Sequence, residues 1–332
     1  MQVFIDKENA ISLAKSRKLG AAKYDNCMRL LKYHGDLIFH FPKDELRSSE
    51  DLMDWIKIFT DGIQGEKAQW GKPLFPPRPL KANLYKGMSI EQLSSMYLVD
   101  DEKAEMVYNR RVIQLSPLGK EIEVLSNLIL TEDGQYTHTL EPQHMSGWQD
   151  LKEYQSPLSD IIIVDQYIFS DENVVEYNFN ALLSQICSIA PGTKINIVLF
   201  TLPDIYIKET KDTVTPDFEK LKNGIEQTLK TKYDISASVT FVLSHELEEH
   251  DRTLFTNMKY YVSGDSYNYF DSQNKVMTKG RYLHIHSMAS RTNYNIGIGF
   301  VHDMQNIIEK VEKLNNNGLI KGKKESNYLH FS

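Results

Sequence analysis

The chain has 332 residues, 41% hydrophobic and 25% charged, with 38 Lys and Arg against 45 Asp and Glu for a formal net charge of -7. These proportions exclude a wholly disordered, collagen-like or disulfide-stapled chain, and the length suits about two domains. The acidic balance excludes an all-over basic coat for nucleic acid but not a local basic cleft.

Residues 1–150 read as an α/β mixture of unassigned fold. Val3-Phe4-Ile5 reads as a strand, Glu8 to Leu31 as one or two helices and Asp36 to Phe41 as strand-like. Ser49 to Thr60 reads as a helix with Leu52, Trp55, Ile56 and Phe59 on one face. Prolines between Gly62 and Pro79 block a continuous helix or central strand and read as a rigid connector. Met88 to Tyr97 and Glu102 to Asn109 read as helical, and Ile122 to Leu130 as a strand. A turn-rich, weakly periodic stretch from Thr131 to Pro157 is the boundary candidate.

Residues 151–320 are more legible. Asp160 to Phe169 is nearly all apolar and β-branched, the pattern of a strand buried on both faces. A helix follows, with Ser170 as its cap and Val175, Phe179, Leu182, Leu183 and Ile186 on one face. Lys194 to Leu202 is the next strand. Thr215-Pro216 starts a second helix with Phe218, Leu221, Ile225 and Leu229 inward. Ala237 to Leu243 is a third strand. Strand, helix, strand, helix, strand with long connections makes a mainly parallel sheet flanked by helices, so the fold class is α/β. Residues 253–262 and 281–288 read as further strands. A last helix puts Met304, Ile307, Ile308, Val311 and Leu314 on one face, and residues 321–332 read as a polar, mobile tail.

The two cysteines, Cys27 and Cys187, form no CxxC or Cys/His cluster, which excludes a thiolate zinc site and suits a reducing compartment. No run approaches about 18 consecutive apolar residues, so no transmembrane segment is expected. The first residues lack a signal peptide's basic start and apolar core, so the expected location is the cytoplasm. His245 and His250 are five apart, the wrong spacing for a helical zinc pair. His284 and His286 share one face of a strand without a carboxylate or thiol partner at ligand spacing. No metal and no cofactor are therefore expected.

One constellation carries chemistry. His250, Arg252 and Asn257, followed by Gly264, Ser266 and Asn268, gather at the C-terminal end of the third parallel strand, where open α/β sheets collect ligands. An imidazole can attack phosphorus or relay a proton, and a guanidinium can hold phosphate oxygens in a bidentate fork. The asparagine amides and the glycine turn can add hydrogen bonds to an oxyanion.

The spacing His250-x-Arg252, four residues, Asn257 resembles the H-x-K-x4-D motif of the phospholipase D superfamily, with Gly264 and Asn268 at the positions of its later G-S-x-x-N element. The resemblance is closest to a non-catalytic branch, the phospholipase D-like C-terminal domain of MIT-domain proteins. Asp165-Gln166-Tyr167, His250-Asp251-Arg252 and Ser263 to Phe270 correspond, over roughly residues 159–288. In catalytic members the His is the nucleophile, the Lys and Asn bind phosphate and the Asp supports the His. The resemblance thus implies metal-free phosphate chemistry. Here Arg252 replaces the Lys and Asn257 the Asp, and the second motif that catalysis needs is absent from the chain. The expected function is a degenerate binding or interaction module for a phosphate-bearing ligand (nucleic acid or a phospholipid headgroup) or a protein partner. One alternative is a phosphodiesterase or nuclease acting through a homodimeric pair of His250 residues. Another is an interaction subunit of a larger assembly. A structural reading stands beside these, with Arg252 paired to Asp165 as a fold determinant.

Overall fold

A computed structural model describes residues 2–19, 24–33, 36–39, 41–60, 68–69, 94–98, 126–131, 134–156, 158–169, 175–187, 194–207, 212–247, 252–277, 281–314 and 318–332. By its contacts the chain divides into two units, residues 1–136 with 287–294, and residues 137–286 with 295–332. The change of unit falls at Thr137, inside the turn-rich stretch but ahead of residue 151.

The first unit holds strands β1 (Gln2–Ile5), β2 (Asp36–Phe39), β3 (Ala68–Gln69) and β4 (Met96–Leu98), all parallel in the order β3-β2-β1-β4. Helices α1 (Lys7–Leu19), α2 (Tyr24–Tyr33) and α3 (Glu50–Thr60) accompany them. Val3, Phe4 and Ile5 are buried, as are Leu52, Trp55 and Ile56 of α3. The Asp6 carboxylate accepts from the Asn9 N–H at 2.8 Å, satisfying a free donor at the start of α1. Two expectations change here. Residues 96–98 extend as β4 beside β1 instead of ending a helix, and Ser126 to Leu130 form a turn, with Ile129 N–H donating to Ser126 C=O at 2.9 Å. The segments 102–109 and 70–79 lie outside the described residues.

The second unit is built on one mixed sheet in the order β14-β10-β7-β6-β11-β12-β13-β5. Its strands are β5 (Thr137–Leu140), β6 (Asp160–Val164), β7 (Lys194–Thr201), β10 (Ser236–Leu243), β11 (Arg252–Thr256), β12 (Lys259–Ser263), β13 (Leu283–Ser287) and β14 (Ile320–Gly322); a small antiparallel pair, β8 (Ile205–Ile207) and β9 (Asp212–Val214), stands apart. Neighbouring strands β10, β7 and β6 are parallel to one another, and every residue of β6 is buried. The stretch 253–262 is a hairpin, not one strand: β11 pairs antiparallel with both β6 and β12, and Asn257-Met258 makes the corner. The sheet is therefore mixed, with parallel pairs β10–β7 and β7–β6 and antiparallel pairs β14–β10, β6–β11, β11–β12 and β13–β5.

The helices follow the expected faces. Val175–Asn180 forms a wide π-helical turn before α4 (Ala181–Cys187), and Val175, Phe179, Leu182, Leu183 and Ile186 are all buried. Ser170 lies outside the described residues. Helix α5 (Phe218–Tyr233) is capped by Asp217, whose carboxylate accepts from Lys220 N–H at 3.0 Å, rather than by Thr215. Helix α6 (Arg291–Lys313) buries Met304, Ile307, Ile308 and Val311, but Leu314 lies past its end and is exposed.

The end of the chain is no loose tail. β14 pairs antiparallel with β10, Tyr328 and Leu329 are buried, and Asn327 donates to Asp160 through its backbone N–H at 2.7 Å and its amide at 2.6 Å. Polarity here reports a hydrogen-bonded clasp on a buried carboxylate instead of solvation.

Candidate phosphate-binding corner

Three strands end in one row. The β6–β11 register pairs Thr253 with Val164, which brings Asp165 opposite Arg252, and the β11–β12 register pairs Arg252 with Ser263. The row stands at the C-terminal ends of β6 and β7, where Asp165 N–H donates to Phe200 C=O at 3.1 Å. It is the edge on which ligands collect in α/β sheets.

After β12 the chain folds back over this row. Asp165 is 1% exposed, and its carboxylate accepts from Tyr167 N–H at 2.9 Å, Ser266 Oγ at 2.8 Å and Tyr267 N–H at 3.0 Å. Burial pushes the carboxyl above the usual range, and the three donors and the nearby Arg252 charge offset this in part. The Tyr267 phenol donates to the carbonyls of Arg252 and Tyr261, both at 3.1 Å. Asp165 and Tyr267 together thus lock the hairpin end onto β6.

The expected Arg252–Asp165 pair takes a different form. Among the described residues the guanidinium makes no ion pair within 4.0 Å; it lies over the ring of Tyr167 at 5.6 Å and reaches Asp165 only as a charge. Arg252 is half-buried, and Tyr167 is 36% exposed.

Asn257 does not join the corner. It sits at the opposite end of β11, roughly 16–17 Å from Arg252 at about 3.3 Å per residue. There it is fully buried; its carbonyl accepts from Ser159 N–H at 2.6 Å and Asp160 N–H at 3.2 Å, and its amide donates to Ser159 Oγ and Tyr328 Oη, both at 3.1 Å. The motif spacing is satisfied in sequence, but the strand carries its last member away.

Of the other expected residues, Ser266 is tied to Asp165, and Gly264 is exposed, with open space where a side chain would stand. The Asn268 side-chain oxygen is buried and has no hydrogen-bond partner among the described residues. His250, with Asp251, lies outside the described residues.

Sequence reasoning missed Arg281. Its Nε stands 3.6 Å from Asp265 Oδ2, while Asp265 Oδ1 accepts from Ser266 N–H at 2.9 Å. No spacing in the chain marks Arg281; only the fold-back of the turn after β12 brings it here. Ser263 Oγ and the Tyr269 phenol are hydrogen-bonded, and that phenol feels the charges of Asp265, Asp165 and Arg281.

His284 and His286 share a strand face as expected. Each Nδ1 meets a threonine of β5, Thr139 at 2.9 Å and Thr137 at 3.1 Å, and His286 stacks on Tyr260 at 4.5 Å. Burial lowers His286 to about 4, so its ring is neutral at pH 7. Among the described residues no group of three or more His, Cys, Asp or Glu is placed to hold a metal, and no helix is long and apolar enough to cross a membrane.

The fold and the corner define an α/β protein with a guanidinium and a polar turn at the C-terminal edge of its sheet. No family model matches the chain, and no curated protein matches it. Among solved structures, the archaeal chromatin protein TrmBL2, whose structure is described as showing a novel mode of DNA binding, aligns with 10% identity and a TM-score of 0.27. The alignment covers 58% of this chain and 59% of that one, so the chain spans under two thirds of that protein's length.

Proposed function

We propose that the chain is a degenerate phospholipase D-like binding module whose corner at Arg252 takes a phosphate-bearing ligand without turning it over. One observation carries this reading: Arg252 stands at the site edge and, among the described residues, no carboxylate lies within ion-pair distance of it, while Asn257 is held by Ser159, Asp160 and Tyr328 at the far end of β11. The guanidinium is available to a phosphate, whereas the residue that would support a histidine nucleophile is engaged elsewhere. The Tyr167 ring, 5.6 Å from the guanidinium carbon, gives the side chain a neighbour that reduces the rotamer freedom lost on binding. The buried free thiols Cys27 and Cys187 suit the reducing cytoplasm, and burial pushes Cys27 up to about 12, which leaves it inert.

The test uses a short single-stranded oligonucleotide and a generic phosphodiester in EDTA. The expected result is saturable binding, weakened about tenfold or more in Arg252→Gln, with no turnover. Arg252→Lys keeps the charge next to Asp165, so its partial loss separates phosphate contact from folding. Turnover that survives EDTA and disappears in His250→Ala would establish the phosphodiesterase alternative instead.

A further inference from the structure

We propose that Arg281 is a second, releasable arm of this corner and that it selects a phosphate monoester dianion over a singly charged diester. The inference rests on the reading above and deepens it. Arg281 is 51% exposed and Asp265 39% exposed, and their contact at 3.6 Å is longer than a hydrogen bond. Such an exposed pair is weak and easily exchanged for a stronger partner. Asp265 has a second task, since its other oxygen accepts from Ser266 N–H and shapes the turn. It therefore stays in place when Arg281 leaves.

A series of contacts in the turn lies between the two guanidinium groups. Ser266 bonds to Asp165, which feels Arg252, and the adjacent Asp265 meets Arg281. Tyr269, in the same turn, feels both Asp165 and Arg281. Gly264, next to Asp265 in the chain, has open space where a side chain would stand. One guanidinium satisfies one charge of a phosphate. A monoester carries about two charges above its second pKa, near 6, and can draw Arg281 from Asp265. A diester carries one charge and has less to offer a second guanidinium.

The probes are phenyl phosphate and methyl phenyl phosphate, titrated calorimetrically at pH 8 and pH 5.5. The expected result at pH 8 is about a tenfold preference for the monoester, shrinking toward parity at pH 5.5 as it becomes a monoanion. Arg281→Gln should remove that preference and leave diester binding within about twofold. Asp265→Asn keeps the acceptor for Ser266 N–H but releases Arg281. It should raise monoester affinity several-fold in the wild-type background and not at all beside Arg281→Gln. If Arg281→Gln leaves the preference intact, or weakens both probes equally, while Arg252→Gln abolishes both, the Arg281 role is wrong and the Arg252 site stands. If neither probe binds the wild type, the Arg252 reading itself fails, and this inference with it.

Discussion

Asn257 explains its own identity. The motif that this spacing resembles has an Asp at the corresponding position, yet here the side chain packs against Ser159, whose hydroxyl donates to the buried Asp160 carboxylate at 2.6 Å. A second carboxylate in this pocket would face the first across one hydroxyl. Asn257→Asp is therefore expected to destabilise the fold by about 2–4 kcal/mol at pH 7. Such a group has its folded pKa raised, so the folded state binds the extra proton; the loss should shrink as pH falls toward 4. Chemical denaturation at pH 7 and pH 4.5 checks this, and an equal loss at both would exclude the charge argument. Lys259 shows the opposite sign. It is fully buried and donates to the backbone carbonyl of Tyr154, and burial lowers it to about 7. The unfolded chain binds more protons between about 7 and the ordinary lysine value, so stability should rise with pH in that window, by roughly 2–3 kcal/mol from pH 7 to 9. Lys259→Met removes this slope, and the gap between variant and wild type should move by that amount across the same range. A gap independent of pH would mean that Lys259 titrates alike in both states.

At the scale of elements, the strands buried on both faces were legible because their apolar runs leave no alternative, and so were the helix faces of α4, α5 and α6. Three things were hidden. The hairpin at Asn257-Met258 has no glycine or proline to announce it; Thr256 braces the corner from the end of β11, its hydroxyl donating to Lys259 C=O at 2.9 Å and accepting from Lys259 N–H at 3.1 Å. The strand β4 is only three residues long, too short for periodicity to separate from a helix end. The last segment looked solvated because its polar residues bond to a buried acid far away in sequence. Removing residues 320–332 strips β14 from the sheet edge, uncovers Tyr328 and Leu329 and leaves Asp160 short of donors. Burial of two such side chains is worth about 1.5–3 kcal/mol each, so the truncation should cost on the order of 5 kcal/mol. A thermal melt of the truncated chain within about 2 °C of the full one would refute the clasp.

At the scale of the whole molecule, the candidate site was half legible. Arg252 and Asp165 converge because the β6–β11 register brings them opposite each other at strand ends, and Ser266 joins them where the chain folds back after β12. Arg281 and the diversion of Asn257 were not legible: Arg281 arrives only through the fold-back of the turn after β12, and Asn257 is carried off because β11 is extended, which a motif spacing by itself does not show. The α/β class follows from the central parallel strands, while the antiparallel half of the sheet is what assembles the corner. The account stands or falls on Arg252 as the phosphate contact. The direct measurement is a titration of inorganic phosphate into protein labelled with ¹⁵N-arginine, following the side-chain Nε–H resonance that Arg252→Lys removes. A saturable shift of that resonance, absent when chloride replaces phosphate at equal ionic strength, is the predicted result. An Arg252 resonance that does not move while the protein stays folded would contradict the account.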